Sequence, residues 1–225
     1  MKAVTFSYGE IENNHTAYFE YLRLRKRIFV DGLGWPLWCD RGLEQDQYDN
    51  PNAKYSLVLK NDRVVAGARL LPDHADWFGW SHMVKDVALG KIDTVPKAAL
   101  GTMTRFDGVW ECSRLIVNDK DFGAKERQLA LICVITGLVS MAKNGGAVAM
   151  VSFSPPPLQR FLKSLGYAVV AMENRFTDLS DGRKYTTLRL EIDEKIIDAE
   201  KGLSKHLASL ASVVESQKLP RPSCG

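Results

Sequence analysis

The chain is poor in metal ligands. It has 225 residues, with only four histidines and four cysteines. Cys39, Cys112, Cys133 and Cys224 form no CxxC pair, and no histidine clusters with them, so no metal site is expected. Cys133 lies in an apolar helical run, the usual setting of a buried thiol. No apolar run approaches the roughly 18 residues that a membrane-spanning helix needs. Glu10, Glu12 and two asparagines precede any apolar stretch, so a secretory leader is not expected either. Free thiols without a leader point to the reducing cytoplasm. An excess of one charge is also missing: 30 Lys and Arg face 27 Asp and Glu, which argues against a polybasic nucleic-acid tail. Neither repeats nor low-complexity tracts occur.

What is present is ordinary globular composition, 45% apolar. The length suits one domain, expected over 1–218 and monomeric, followed by a loose Pro-rich tail at 219–225. Tyr18, Tyr21, Leu22, Arg25 and Phe29 recur at helical spacing and predict a helix over 15–29. Gly32, Gly34 and Pro36 break it, and 36–53 reads as an ordered irregular loop. Strands are expected at 55–60 and 63–71, joined through Asn61-Asp62 as a hairpin turn. The punctuated stretch 72–108 holds a short helix near 83–88 and is long enough to cover a site.

A central strand follows at 109–117, then a long helix at 124–143 closed by Gly145-Gly146. After a strand at 147–153, Ser154 reads as the cap and Pro155 as the first position of a helix ending near Gly166. Strands at 167–172 and 184–192 and a helix over 193–215 complete the chain. This order predicts a three-layer α/β/α sandwich around a mixed sheet. Its middle resembles the N-acyltransferase (GNAT-like) fold.

Three groups of residues carry chemistry. In the first, Arg25 and Phe29 share a helix face, Trp35 sits in a Gly-flanked loop, and Asp46 and Asp49 follow. They form either a solvated helix and acidic loop or a cavity whose aromatic faces hold a cation. The second is Arg69 among aliphatic residues, either on an exposed sheet face or paired with Asp46 or Asp49. The third is Trp110-Glu111-Cys112-Ser113-Arg114. In a regular strand Glu111 and Ser113 share a face and Arg114 takes the other, unless a bulge intervenes. A carboxylate in a central strand loses hydration, a setting that suits a general base; an edge-strand Glu–Arg pair is the plain alternative. The stretch 117–126 has a single glycine and two aspartates, unlike the Gly-rich pyrophosphate loop of acetyl-coenzyme A enzymes.

Together these residues resemble the acyl-homoserine-lactone synthase (LuxI-type autoinducer synthase) family. Leu33-Gly34-Trp35, Glu44 to Asp49, Arg69 to Pro72, Met83 to Val87 and Trp110 to Leu115 occur in the family's order, over roughly 18–170. Tyr48, where Phe is common, and Ser154-Pro155-Pro156-Pro157 depart from the pattern. The resemblance implies N-acylation of S-adenosylmethionine by an acyl thioester, then lactonisation with release of methylthioadenosine. The donor is acyl carrier protein or acyl-coenzyme A. Adenosylmethionine is a substrate, and no cofactor is implied.

The resemblance also implies roles. Glu111 is the candidate base, with Arg114 orienting it or a substrate carbonyl. Arg25, Phe29, Trp35 and Phe106 are expected at the adenosylmethionine pocket, and Asp46, Asp49 and Arg69 in an electrostatic cluster that Arg25 also shapes. Met83, Met150, Ser152 and Phe153 are expected to wall an acyl tunnel between the sheet and the 124–143 helix. Arg160 and Lys163 either meet an acidic carrier protein or lie on a solvated face. Two other readings are a coenzyme A-dependent N-acyltransferase that does not lactonise and a non-catalytic binding module. Neither nucleic acid nor membrane is an expected partner.

Overall fold

A computed structural model describes residues 1–118, 122–172 and 174–192. The expected helix at 193–215, the tail and part of the loop before the long helix (119–121) lie outside them. The strands are β1 (Lys2–Ser7), β2 (Cys39–Asp40), β3 (Leu43–Glu44), β4 (Lys54–Lys60), β5 (Arg63–Leu71), β6 (Val109–Val117), β7 (Ala149–Ser154), β8 (Val169–Ala171), β9 (Phe176–Thr177) and β10 (Lys184–Glu191). The α-helices are α1 (Ile11–Arg25), α2 (Met83–Ala88), α3 (Ala124–Asn144) and α4 (Pro156–Ser164). The main sheet runs β1-β4-β5-β6-β7-β10-β8, with β9 on β10. Its pairs are antiparallel except β6 with β7, so the sheet is mixed.

The sheet divides the core. Tyr21 and Leu22 of α1 pack with Tyr55 and Leu57 on one face. Ile135, Leu138 and Val139 of α3 pack with Val58, Ala68 and Leu70 on the other, where Leu162 of α4 joins them. This is the three-layer arrangement that the element order predicts. Around α2 a third cluster gathers Val84, Val87, Val109, Ala149 and Val151.

Differences from the sequence reading have local causes. β1 was not anticipated; it is an edge strand that buries Phe6 against the Tyr55 ring. Helix α1 starts earlier than expected and passes into a π-helical turn over Lys26–Val30, closed by Asp31 N–H to the Lys26 carbonyl at 3.0 Å. Inside the irregular 36–53 loop, β2 and β3 form a short hairpin. The expected Ser154 cap is incorrect. Ser154 stays in β7 opposite Thr186, with its hydroxyl 2.8 Å from that of Ser152, while Pro155 caps and Pro156 takes the first helical position. A proline tolerates that position because its missing N–H would have no helical partner. At Asn61 and Asp62, φ values of 50° and 58° give the hairpin turn its expected left-handed geometry.

Two irregularities position the site. The β5–β6 register shifts between Gly67 and Arg69, which face Ile116 and Ser113, so β6 carries one extra residue. At this bulge Arg114 adopts φ 54°, and Tyr21 donates a 2.8 Å hydrogen bond to its carbonyl. The bulge turns Arg114 toward the α1 face. Separately, the parallel register of β6 with β7 comprises only Val109–Ala149, Trp110–Met150 and Glu111–Val151. Beyond that last pair the strands part.

Candidate active site

Three arginines and three carboxylates form a closed ring of alternating charge. Arg25 at the end of α1 binds Asp49 through two guanidinium nitrogens, at 2.8 and 2.9 Å, and binds Glu44 through Nε. Asp49 meets Arg69 at 3.0 Å, and Arg69 binds Asp46. Asp46 meets Arg114 at 2.8 Å, and Arg114 returns to Glu44 at 3.1 Å. The ring is neutral, which is the condition for burying six ions together. Planar guanidinium forks suit it, since each bridges two carboxylates.

Local structure sets the ring up. The loop after β3 folds on itself: Tyr48 N–H bonds Asp46 at 2.9 Å, and Asp46 N–H bonds Asp49 at 3.0 Å. Tyr55 donates to Asp49 at 3.1 Å, and Ser113 stands 3.3 Å from Arg69. Although burial opposes their charge, the guanidinium groups of Arg69 and Arg114 hold the Asp46 carboxyl well below the usual range, and those of Arg25 and Arg69 do the same for Asp49.

Arg25 is 0% exposed and its donors are committed to Glu44 and Asp49. It shapes the pocket, and a ligand reaches it only by displacing a carboxylate. Arg114 contacts Glu44 and Asp46 and lies 5.5 Å over the Phe29 ring; no contact with Glu111 occurs among the described residues. Asp46 and Arg114 are the ring's open rim, with side chains 15% and 10% exposed. Glu44 is the ring member that sequence reasoning missed. Its place two residues before Asp46 in the quoted motif is the signal that was available.

Phe29 and Trp35 stack with ring centroids 4.9 Å apart, because Trp35 N–H bonds the Phe29 carbonyl at 2.9 Å and folds the loop back. Trp35 Nε1 donates to Asp181 at 2.9 Å, and Tyr185 donates to the same oxygen at 2.7 Å. Partial burial works against the Asp181 charge, but these bonds and the Arg183 N–H bring its carboxyl below the ordinary range. Nothing in the sequence ties Asp181 to a tryptophan 146 residues away.

Glu111 lies in the central strand, 1% exposed. Its Oε2 accepts the Val84 N–H at 2.8 Å and stands 3.2 Å from His82 Nδ1. Asp86 fixes that segment by accepting from Ser81 Oγ at 2.8 Å, Tyr48 at 3.0 Å and Lys91 at 3.1 Å. Tyr48 thus links the ring's loop to α2. Phe106 packs edge-on to His82 at 5.8 Å, in the cluster that also takes Met83 and Phe153.

The four expected acyl-wall residues divide between the sheet's faces. Met150 is buried under α3, and Ser152 shares its face by strand alternation. Phe153 points the other way, against Phe176 at 5.6 Å, in the cluster that includes Met83. A tunnel confined to the space between sheet and α3 therefore cannot have all four as walls. Ser152 and Phe153 border the gap where β6 and β7 part. Arg160 and Lys163 are exposed on α4. Among the described residues, no cluster of metal ligands forms and no helix is long and apolar enough to cross a membrane.

A mixed sheet that parts between two parallel strands, with a buried carboxylate at the fork, defines an N-acyltransferase-like α/β/α protein. The autoinducer synthase family model matches residues 10–199, and the chain belongs to that family. The acyl-homoserine-lactone synthase of Aeromonas hydrophila is 28% identical over 193 residues, covering 84% of each chain. Among solved structures, the coenzyme A-dependent acyl-homoserine lactone synthase MesI aligns with a TM-score of 0.70 at 18% identity, over 92% of this chain and 95% of that one. TofI, solved with an inhibitor and MTA, aligns with a TM-score of 0.65 at 23% identity, over 88% of this chain and 96% of that one. The enzyme is an acyltransferase of autoinducer synthesis.

Proposed function

We propose that this enzyme acylates the α-amine of S-adenosylmethionine with an acyl thioester and then closes the homoserine lactone. The observation that carries the reading is the Glu111 carboxylate, buried at the fork of β6 and β7 beside a neutral charge ring that presents one carboxylate and one guanidinium at its rim.

The methionine end of the substrate is a zwitterion. Asp46 suits its ammonium and Arg114 its carboxylate, while Trp35, backed by the stacked Phe29 ring, offers a face to the adenosyl and sulfonium groups. An α-amine has an ordinary pKa near ~8, so a positioned base suffices to free its lone pair. Glu111 is that base; its Oε2 is held by Val84, and Oε1 accepts no hydrogen bond among the described residues. The amine attacks the thioester carbonyl carbon, the C–S bond breaks, and the departing thiolate takes a proton. In the second step the substrate carboxylate attacks its own γ-carbon, and neutral methylthioadenosine leaves without acid assistance. That step needs a bent conformation more than a proton donor. Arg114, already shared with Glu44 and Asp46, steers the carboxylate without enclosing it.

The acyl chain passes through the β6–β7 gap beside Ser152 and Phe153 of β7, with Met83 and Met150 on opposite sides of the sheet. Coenzyme A or a carrier protein delivers it, and the exposed Arg160 and Lys163 suit an acidic carrier. The substrates suit a cytoplasmic enzyme, and the described residues up to 192 are taken as one domain built on the main sheet. Glu111→Gln tests the reading. Acylation slows at least a hundredfold, within the range for a lost general base, while adenosylmethionine affinity by calorimetry changes less than threefold. Equal losses in rate and affinity would remove Glu111 from proton transfer.

A further inference from the structure

His82 has no place in the steps above, yet it touches the base. The residue is fully buried, and Nδ1 stands 3.2 Å from Glu111 Oε2 and 3.2 Å from the Lys85 backbone nitrogen. The Lys85 N–H donates to Nδ1, which caps α2. In that tautomer Nε2 carries the proton, and Nε2 is buried with no hydrogen-bond partner. An unpartnered buried donor is destabilising. Capping alone does not explain a histidine here, because Ser, Thr, Asn or Asp caps a helix as well without that cost.

We infer that His82 is a positioning residue for Glu111 and shares the proton that Glu111 removes from the substrate amine. Before proton removal, Nδ1 and Oε2 face each other with lone pairs and have no proton between them. Once Oε1 has taken the amine proton, a half-turn of the carboxyl group exchanges its oxygens: the bare oxygen accepts the Val84 N–H, the O–H faces Nδ1, and the repulsion becomes a hydrogen bond. The protonated pair returns that proton to the departing thiolate, so the pair ends as it began. No bond to His82 forms or breaks apart from that N–H contact.

The surroundings fit one shared proton. From β6 the ionisable neighbour is Glu111. On the 81–91 segment, Asp86 is occupied by Ser81, Tyr48 and Lys91, and Lys85 Nζ reaches the Asp73 carbonyl. Phe106 faces His82 from its own loop, flanked by the exposed Arg105 and Asp107. Among the described residues no second charge contacts the imidazole.

The inference rests on the proposed reaction, and its failure is separable. A wild-type enzyme that releases no methylthioadenosine with any thioester refutes the reaction itself. With an active wild type, His82→Asn is the informative variant, since its amide oxygen caps Lys85 but cannot hold a proton. The expected result is kcat down at least tenfold, with KM for adenosylmethionine within twofold and the variant folded at the assay temperature. A kcat within twofold of wild type would reduce His82 to a cap and overturn the inference. Nitrogen NMR of the histidine rings supplies a readout independent of turnover and of the variant's folding. In wild type and Glu111→Gln, the His82 Nδ1 resonance at low pH differs if the proton is shared with the carboxylate. Identical resonances would contradict it.

Discussion

Asp49 ties three elements of the site together, binding Arg25 of α1, Arg69 of β5 and Tyr55 of β4. Truncating it leaves two buried guanidinium groups short of a carboxylate. Asp49→Ala is expected to cost ~3–5 kcal/mol, read as a lower urea midpoint. A loss under ~1 kcal/mol would mean that the ring is far better hydrated than its burial indicates. Trp35→Ala is expected to weaken adenosylmethionine binding about tenfold or more, as loss of an aromatic contact worth ~1.5 kcal/mol does. Unchanged affinity by calorimetry would place the ligand elsewhere. Arg69 stands out in the sequence because a charge among aliphatic residues must be paired or exposed, whereas Arg25, Asp46 and Asp49 read locally as a solvated face and are tied to it only by the family resemblance. Glu44 and His82 could not be singled out so easily. Each looks ordinary until its neighbours across the sheet are known.

At the scale of elements, the site depends on close packing of α1 against β5. A Cβ at Gly67 would stand 2.5 Å from the Leu57 side chain and 2.8 Å from the Tyr21 ring. The same Tyr21 donates to the carbonyl of Arg114 at the bulge. Gly67→Ala is therefore expected to destabilise by ~1–3 kcal/mol and to lower activity by moving Arg114. Full activity at wild-type stability would show that the layer yields without cost. Strong periodicity made α3, β5 and β6 visible in the sequence. The bulge was stated only as an exception, because a one-residue insertion leaves no periodic mark. Strand β1 leaves a weak sequence signal, because only Val4 and Phe6 alternate in a short, mostly exposed edge strand.

The whole molecule brings a charge ring from α1, β3, β5, β6 and one loop against a fork in the sheet, and its pH response follows. The folded-state pKa values of Asp46 and Asp49 are depressed, so the stability these groups contribute is fully present above the unfolded carboxylate value of ~4. It is lost as pH falls through and below that value toward the folded ones. Urea midpoints should hold from pH 7 to about pH 5 and fall steeply below about pH 4. In Asp46→Asn the fall should be shallower; an equal slope would place the acid sensitivity elsewhere. The mixed three-layer sandwich could be inferred from element order, which dictates which strands need crossover helices. The division of the acyl-wall residues between two faces could not, since it depends on where β6 and β7 separate.

The proposed reaction couples two steps, and their products can be counted together. Purified enzyme with adenosylmethionine and a panel of acyl-carrier-protein and acyl-coenzyme A thioesters would be followed for free thiol and methylthioadenosine together. Both should appear in equal amounts with at least one donor. Thiol release without methylthioadenosine would contradict it and make the enzyme an N-acyltransferase that does not lactonise.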